Sequence, residues 1–527
     1  MSYVGYTVRI PLGLGGLDKS ENKTAVDYRK LIEAENVVIL NKQLAKDFGS
    51  TKQNSTAVTG TPAIIAGRDY YPTVGTKRGI IATADGKLFK DDGTFAWGTT
   101  LKSGLTADKD TVISEGGAEV AGNDKKLFFC NGTDVVQVLS ADGATTGNIN
   151  TPSTDWASYH QPRKMAIHRL RNWAIAGHYL YGSTTTNHED FTGAGSQLFS
   201  VFPGEGDYLV NMVSIWGRLY LFKYPRGIYY LDDTDSTAAN WYLKRVTGGI
   251  GSAGPNALDS SRDEAVFLSP EGGLHFLRGV EAFGDVKSSD LTSILNIESV
   301  FRDDATIGDL HRAHVVYFDD RKQVWVGFTS AAGTSNDTIL KIDVSDMGNP
   351  KPFVTTKDEC ESIWIYEDPT SNARFPLLGD SAGFIRETEK DSRNVDGTTP
   401  YTGRFQTPYT DFGFADPQLS HRDKILDFLE IVAEPAGNYD ATMEVYVDGE
   451  YSQTIQFNMG SAGAALDSFT LGTDRLDGAG VVSIRKKAAS KGQRFSFNVY
   501  NSGLNQDFKF AEIVAYFRVA DYGRRGD

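Results

Sequence analysis

The sequence predicts an all-β protein: a β-propeller of six to eight blades, then a C-terminal β-sandwich, with an N-terminal arm that contains one short helix. Three observations lead to this fold class. The 527 residues include 55 glycines, 24 tyrosines and 29 phenylalanines, and such a composition is typical of short strands joined by tight turns. A strand–turn–strand pattern recurs through the middle of the chain. After about residue 400, longer segments of alternating apolar and polar residues replace it.

Residues 1–60 differ in pattern from the rest of the chain and are predicted to form the arm. A short extended segment, Tyr6–Ile10, leads into the sequence PLGLGG. Three apolar residues further on fall at helical spacing and predict one early helix: Leu31, Ala34 and Val38. Val37–Leu40 is predicted to be a strand. The stretch 49–60, GSTKQNSTAVTG, is predicted to be a polar connector.

Residues 61–397 are predicted to form the propeller. Two apolar segments separated by a turn rich in glycine, aspartate or asparagine occur seven times, beginning at Arg78, Lys125, Arg169, Gly217, Asp263, Lys322 and Arg374. The starts are 44–59 residues apart, in the range of four-stranded propeller blades at about 40–50 residues each. Each unit leaves apolar faces bare until neighbours cover them, so the units are expected to close into a ring. A short helix predicted within 291–304 accounts for the longest step.

Residues 398–527 are predicted to form the β-sandwich. Six or so segments there alternate apolar and polar residues, including KILDFLEIVAE, MEVYVDGEYSQTIQF and FKFAEIVAYFRVA. Alternation of this kind indicates strands with one buried face, and VDGEY has the Asp-Gly pair of a hairpin turn. This strand content in about 120 residues is typical of a sandwich.

Charge and cysteine content limit the classes of function. The formal net charge is −15, so binding to DNA through a basic face is not expected, although DNA could still pass through such a protein. Cys130 and Cys360 lie far apart without a CxxC spacing and are predicted to be buried apolar side chains. No membrane-spanning segment is predicted. The start, MSYVGYTVRI, lacks the pattern of a secretory signal, which predicts folding in a reducing cytosol.

Residues 11–20, PLGLGGLDKS, come within one residue of a phosphate-binding loop. The pattern G-x-x-x-x-G-K-[ST] needs glycine before lysine, but Asp18 stands there, followed by Lys19 and Ser20. Asp18 restricts the backbone that should curl round a phosphate and adds a carboxylate where the phosphate would lie. The chain also lacks the strand–helix alternation in which such loops occur. The segment is instead predicted to be a glycine-rich arm that lets another backbone approach closely.

For three other motifs, we favour a purely structural interpretation over a functional one. The HRAH sequence at His311–His314 has metal-like spacing, but it lacks the glutamate of HEXXH, and the other histidines form no second cluster. FKDDGTFAWG, at 89–98, is similar to the Asp-box turn of sialidase propellers but is out of register, so an Asp-Gly hairpin turn is predicted. LDDTDS, at 231–236, is predicted to be an acidic surface turn because it lacks the glycine and glutamate of a calcium-binding loop. The sequence thus predicts no catalytic residues, no metal and no cofactor.

The order of parts, together with several phrases, resembles one family. The start IPLGLGGLDKSENKTAVDYRKLIEAENVVI precedes a propeller containing HRLRNWAIAGHYLYGS. A late sandwich opens with TGRFQTPYTDFG and KILDFLEIVAE and closes with GQRFSFNVYNSG and FKFAEIVAYFRV. This combination is similar to the tail nozzle, or tail hub, proteins of short-tailed bacteriophages, which are related to packaged-DNA stabilisation proteins.

The resemblance implies a structural virion protein, made in the host cytoplasm, and no enzyme. In that family, propeller-bearing subunits form a six-fold ring below the portal and adaptor, which extends the DNA channel, retains the genome and anchors fibres or spikes. The expected partners are therefore five further copies of the chain, the adaptor or head-to-tail connector, and fibres or spikes, with DNA passing through without sequence-specific binding.

Seven residues form the candidate assembly arm, predicted to lie with the early helix at a subunit or adaptor interface: Pro11, Leu12, Gly13, Leu14, Gly15, Gly16 and Leu17. A chain without residues 1–20 is accordingly expected to fold but not to assemble. Two alternatives to the nozzle remain open. One is a carbohydrate- or receptor-binding virion propeller, which exposed aromatics such as Tyr229–Tyr230 in a concave pocket would support. The other is a propeller glycosidase, which needs a pocket with paired carboxylates and several arginines.

Overall fold

The computed structural model describes residues 5–71, 77–116, 125–140, 143, 146–158, 160–203, 206–261, 264–279, 286–368, 371–460 and 482–519. The N-terminal part consists of short strands that belong to three different sheets, each of which also contains strands from later in the chain. These strands are β1 (Gly5–Pro11), β2 (Glu33–Glu35), β3 (Val37–Leu40), β4 (Gln43–Lys46) and β5 (Gly49–Lys52).

The next three sheets each contain four consecutive antiparallel strands. The first is β6 (Ile64–Tyr70), β7 (Arg78–Thr83), β8 (Lys87–Lys90) and β9 (Thr99–Lys102); the second is β10 (Val112–Gly116), β11 (Lys126–Cys130), β12 (Gln137–Leu139) and β13 (Thr146–Asn148); the third is β14 (Lys164–His168), β15 (Arg171–Ala176), β16 (Tyr179–Gly182) and β17 (Gln197–Ser200). A short helix, α1 (Thr154–Ser158), lies between the second and third sheets.

Three further groups of four strands follow the same pattern. They are β18 (Tyr208–Ile215), β19 (Arg218–Tyr224), β20 (Ile228–Asp232) and β21 (Tyr242–Thr247); β22 (Leu258–Ser260), β23 (Glu264–Leu268), β24 (Leu274–Gly279) and β25 (Val286–Asp290); and β26 (His314–Phe318), β27 (Gln323–Thr329), β28 (Asn336–Asp343) and β29 (Lys351–Thr355). Helices α2 (Leu291–Leu295) and α3 (Glu298–Arg302) separate the last two groups, where the sequence predicts a helix. Asn296, in the left-handed conformation, ends α2.

The seventh sheet joins the two ends of the propeller. It contains β30 (Ser362–Glu367), β31 (Arg374–Gly379) and β32 (Ile385–Lys390), and its outer strand is β5 from the N-terminal part. Thr51 of β5 pairs with Glu387 of β32, antiparallel. The first strand of each sheet also packs against the first strand of the next, and β30 packs back on β6. The described residues therefore form a closed seven-bladed propeller, as the all-β propeller prediction requires.

Apolar cores fill the spaces between the blades. Between blades seven and one, for example, Trp364 and Leu377 pack with Ile81 and Phe89. Corresponding clusters lie at the other blade interfaces. Both cysteines are free and buried in these cores, which confirms their predicted apolar role. Burial of such side chains supplies the main favourable term that holds the ring together.

The C-terminal strands form two facing sheets. They are β33 (Gly403–Gln406), β34 (Lys424–Ala433), β35 (Asp440–Val447), β36 (Glu450–Asn458), β37 (Val482–Gly492), β38 (Phe495–Asn501) and β39 (Lys509–Val519). One sheet has the order β3-β4-β39-β34-β37, with β1 also paired to β39; the other contains β2-β33-β38-β35-β36. Asp448 and Gly449 both have positive φ between β35 and β36, which confirms the predicted hairpin turn. The sandwich prediction is confirmed.

Propeller and sandwich share one continuous sheet. The outer strand of blade six, β29, lies beside β2, and the sheet continues through β33, β38, β35 and β36 to a total of nine strands. The backbone N–H of Asn36 donates to the carbonyl of Val354 at 2.8 Å, and the Asn36 side-chain oxygen accepts from the N–H of Thr356 at 2.9 Å. One apolar core also runs through both parts, from Phe276 and Val324 in the propeller to Phe517 in the sandwich.

The predicted early helix is wrong. Leu31 takes part in an isolated parallel bridge with Leu17, Ala34 lies in β2, and Val38 lies in β3; the strand prediction for Val37–Leu40 is confirmed. The physical reason is Asn36, whose φ of 50° interrupts the extended backbone between β2 and β3, two short strands of different sheets. The apolar residues of two separate strands therefore recur at intervals that imitate a helix. The predicted polar connector 49–60 contributes β5.

Candidate functional site

The axial channel of the propeller holds a large cavity. Its volume is about 710 Å³, and residues of all seven innermost strands line it. Every blade has four antiparallel strands, so each innermost strand starts at the same end of the ring. The last residues of these strands therefore gather at one mouth of the channel, which brings Asp69, Glu115, Ser214, Tyr317 and Glu367 to the same end.

Two opposite charges lie deep in the channel on different blades. The Lys164 ammonium donates to the Asn211 side-chain oxygen at 2.6 Å and to the Pro255 carbonyl at 3.2 Å. Burial lowers the pKa of Lys164 to about 8. Asp259 accepts backbone N–H groups from Ser260 and Tyr317, both at 2.8 Å, and burial raises the pKa of its carboxyl above the ordinary value. Because both groups are fixed by hydrogen bonds, the channel presents a rigid polar lining.

Charged side chains also join neighbouring blades at the mouth. Asp69 forms an ion pair with the Lys77 ammonium at 2.7 Å and accepts a hydrogen bond from the backbone N–H of Glu367 in blade seven at 2.8 Å. Burial raises the pKa of Asp69 to about 6 despite these bonds, and its second oxygen is buried without a hydrogen bond. Arg68 faces Glu115 of blade two at 3.3 Å.

A serine, a histidine and an aspartate come together at the same mouth. Nδ1 of His168, the last residue of β14, lies 2.8 Å from Oγ of Ser214 in β18. Its Nε2 lies 2.9 Å from a carboxylate oxygen of Asp233, which follows β20. His168 and Asp233 are buried, at 3% and 1% exposure, whereas Ser214 is exposed and lines the channel. Sequence analysis did not identify this array. It placed Asp233 in an acidic surface turn, whereas the structure buries this residue.

The predicted assembly arm, Pro11–Leu17, packs within its own chain. The N–H of Leu17 donates to the Pro352 carbonyl of blade six, and the N–H of Leu31 donates to the Gly16 carbonyl, at 2.8 and 3.0 Å. Leu12 and Leu17 are buried, and Leu14 is the large apolar side chain of the segment that is exposed, at 39%. The close approach of another backbone, predicted from the glycines, is therefore made within the chain. A role of the segment in assembly stays a prediction, and Leu14 is the residue available for it.

We expect Gly16→Ala to lower the free energy of unfolding by about 1–3 kcal/mol, the range for overpacking of a filled site. An ideal Cβ at Gly16 lies 2.6 Å from the Pro352 nitrogen and 2.7 Å from its carbonyl oxygen, and neither backbone atom can swing aside. Gly5→Ala is the matched control, because a Cβ on Gly5 meets nothing within 4 Å. Urea unfolding of both variants checks this; equal midpoints would contradict the close contact.

The former phosphate-loop candidate has a local structural role. Both oxygens of the Asp18 carboxylate are engaged: the first accepts the N–H of Ser20 at 3.0 Å, and the second accepts Lys30 at 2.8 Å and the Asn296 amide at 3.1 Å. Lys19 lies 3.3 Å from Asp304. These contacts fasten the glycine segment to the turn after α2.

The two histidines of HRAH do not converge. His311 is exposed and its Nδ1 contacts the Gly308 carbonyl at 3.0 Å, whereas His314 is buried in β26 and lines the channel. No group of three or more metal-ligating side chains occurs in the described ranges. Burial lowers the pKa of His314 to about 4. In the folded state His314 is therefore neutral at pH values where an unfolded histidine takes up a proton.

We expect stability to fall as the pH is lowered from about 6.5 to 4. Over this window the unfolded chain binds a proton at this position that the folded chain does not, so His314 alone costs on the order of 3 kcal/mol by pH 4. Burial also lowers the pKa of His168, His188 and His275, which adds in the same direction. Unfolding midpoints across this window should depend less on pH in His314→Gln than in the exposed control His311→Gln. Parallel curves would contradict the assignment.

The structure also places the FKDDG motif and the aromatic residue Tyr229. Asp91 of FKDDG is buried and accepts the N–H of Gly79 at 3.0 Å, while Asp92 accepts the N–H of Thr94 at 2.8 Å, as expected of a turn after a strand. Tyr229 is buried at 1% exposure in the core between blades three and four, so it does not supply the exposed aromatic pocket. Residues 525–527, whose sequence RGD predicts a solvated tail, lie outside the described residues.

Comparisons with known proteins extend only to the fold. No family model matches the chain, and no curated protein matches its sequence. One similar solved structure is the extracellular domain of a hybrid two-component system from B. thetaiotaomicron, 10% identical over 67% of this chain with a TM-score of 0.38. Another is the Swd1 β-propeller domain of Myceliophteria thermophila, 10% identical over 64% of this chain with a TM-score of 0.39.

The matches cover 42% of the first of these structures and 99% of the second. The seven-bladed propeller itself follows from the strand pairing described above. None of the helices in the described segments is long and apolar enough to cross a membrane.

Proposed function

We propose that this chain is a structural subunit of a short virion tail, in which copies form a ring-shaped nozzle or hub below the portal and adaptor. The observation that carries the proposal is the nine-stranded sheet that runs from blade six into the sandwich. A shared sheet and a shared core leave no hinge between the two parts. A conduit that holds pressurised DNA needs such a junction, because inter-domain linkers permit relative motion.

Two further features support this role. The order of glycine segment, propeller and sandwich is that of the tail nozzle proteins that the sequence resembles. The net charge of −15 suits a conduit, since carboxylates that face a lumen repel the DNA backbone and let it slide. The proposed partners are further copies of the chain in a homohexamer, the adaptor, and fibres or spikes. The subunit would be made in the host cytoplasm and reside in the virion tail without acting as an enzyme in assembly.

Immunogold electron microscopy of virions from the source lysate tests the proposal directly. Antibody against this chain is expected to place gold at the distal end of a short tail. Gold on fibres would favour a receptor-binding role instead, and unlabelled particles would overturn the virion assignment. A second arm uses Leu14→Asp, which changes one exposed side chain of the glycine segment: we expect a folded monomer that fails to join tails, with Leu170→Asp in a propeller turn as the matched exposed control.

A second candidate is a carbohydrate- or receptor-binding propeller, and the axial channel is the observation that favours it. Arg68 and Arg374 line the channel together with the carboxylates of Asp69, Glu115 and Glu367, a combination suited to a polar ligand. Glycan-array binding by the purified chain would support this candidate, and loss of that binding in Arg374→Ala would place the ligand in the channel.

A further inference from the structure

We propose that Ser214 is an activated nucleophile, with His168 as its general base and Asp233 as the group that orients the histidine, and that it attacks small carboxylic esters that enter the axial channel. This inference does not depend on the virion role. It rests on the order of contacts, the exposure of the serine and the strain in the turns that hold the array.

The contacts connect serine, histidine and aspartate in the order that nucleophilic catalysis by serine requires, with the two ring nitrogens exchanged relative to the usual triad. Because the Asp233 carboxylate lies 2.9 Å from Nε2, this nitrogen carries the ring proton and donates a hydrogen bond to the carboxylate. Nδ1 is then the acceptor and takes the hydrogen bond of the Ser214 hydroxyl at 2.8 Å. The Arg169 guanidinium lies 3.3 Å from the same carboxylate oxygen.

Burial and exposure are distributed as such a site needs. The base and the orienting carboxylate are almost fully enclosed, at 3% and 1% exposure, so water does not compete for their hydrogen bonds. The serine alone is exposed, and it faces the cavity of about 710 Å³.

The turns next to the array hold strained backbone. Arg169 and Leu170, directly after the histidine, have φ values of 44° and 62°, and Trp216, two residues after the serine, has a φ of 52°. Each such conformation costs a residue other than glycine of order 1–3 kcal/mol and persists where the surroundings impose it. Here the backbone carbonyl of His168 accepts the indole N–H of Trp173 at 3.1 Å, which fixes the start of the first turn.

The proposed reaction is ester hydrolysis in two steps. In the first, Oγ of Ser214 bonds to the ester carbonyl carbon, the hydroxyl proton passes to Nδ1 of His168, and the bond to the alcohol oxygen breaks as that oxygen takes the proton from Nδ1. In the second, water attacks the acyl-serine, its proton passes through Nδ1 to Oγ, and the carboxylic acid leaves. Asp233 stays ionised throughout, and water is the only co-reactant.

Acetylation of the full-length protein by p-nitrophenyl acetate tests the proposal. We expect peptide mass spectrometry to find an acetyl group on Ser214, with release of p-nitrophenolate at least about 100-fold slower in Ser214→Ala, in line with the usual contribution of general-base activation. Because Ser214→Ala also removes the hydrogen bond to Nδ1 of the buried His168, its circular dichroism spectrum is compared with that of the wild type to show that the variant is folded. Ser260→Ala, at the end of another innermost strand, is the control and should keep the wild-type rate.

Asp233→Asn separates catalysis from packing. If it remains folded, as judged by its circular dichroism spectrum, acetylation of Ser214 should slow while the hydroxyl is still present. The proposal is overturned if wild-type Ser214 carries no acetyl group, or if Ser214→Ala releases p-nitrophenolate at the wild-type rate. In that case the array only joins blades three and four by hydrogen bonds, and Asp233→Asn would lower the melting temperature without any effect on acetylation.

Discussion

A chain that lacks residues 1–20 is expected to lose its native tertiary structure. Strand β1 pairs with β39 over seven residues at the centre of one sandwich sheet, and the segment buries four large apolar side chains to 1–3% exposure: Val8, Ile10, Leu12 and Leu17. At about 1.5–3 kcal/mol for each side chain, their loss is comparable with the whole stability of a typical protein, about 5–15 kcal/mol.

Near-ultraviolet circular dichroism and dye binding by exposed apolar surface provide the measurement, because a collapsed but unpacked state loses the first signal and gains the second. Gly5→Ala, in which the added Cβ meets nothing within 4 Å, is the control and should match the wild-type protein. A truncated chain with the wild-type urea midpoint would contradict this prediction. From the sequence we expected the shortened monomer to fold; from the structure we expect it not to fold. Leu14→Asp is therefore the better test of assembly.

Asp47→Asn is expected to cost about 3–5 kcal/mol of unfolding free energy, the effect of removing one partner from a buried ion pair. One carboxylate oxygen of Asp47 accepts from Lys357 at 2.5 Å and from Lys341 at 2.9 Å. Lys341 also contacts Glu389 of blade seven at 2.7 Å. The substitution leaves Lys357, at 1% side-chain exposure, buried without its counter-ion.

The matched control is Glu271→Gln, which breaks the exposed pair of Glu271 with Arg226, at 69% and 61% side-chain exposure. Exposed pairs are worth about 0–1 kcal/mol, so its urea midpoint should stay close to that of the wild type. Equal losses in the two variants would contradict the role of the buried cluster.

The same cluster has a predictable pH dependence. Although burial opposes ionisation of Asp47, the charges of Lys341 and Lys357 hold the pKa of its carboxyl below the ordinary value. Its stabilisation is therefore present above the ordinary carboxyl pKa and is lost as the pH falls through the lowered one. In Asp47→Asn, this part of the acid sensitivity should be absent.

The propeller could be predicted because its middle strands are buried on both faces. All seven strand–turn–strand segments found in the sequence are the second and third strands of successive blades, such as β15 and β16. Such strands have continuous apolar runs. Outer strands, such as β13 with the sequence TGN, lack that pattern, and nothing local indicates that β5 would complete blade seven.

The candidate site could not be predicted in the same way. His168 lies on a strand of blade three, Ser214 lies on a strand of blade four, and Asp233 follows another strand of blade four; only the ring geometry brings them together. No motif with fixed spacing links them. The prediction of an early helix failed for a related reason: one left-handed residue, Asn36, separates two strands whose apolar residues together have a helical spacing.

The seventh blade has a consequence for how the protein is made on the ribosome. Its outer strand, β5, is synthesised near the beginning, but β32, on which it pairs, emerges only after residue 390. Strand β1 waits longer still, for β39 at the very end. Strands β1 and β5 must therefore wait for their partners through most of translation, and folding includes closure of very long loops, which slows it. A chain that terminates before β32 cannot complete the ring, and one that terminates before β39 cannot complete the sandwich.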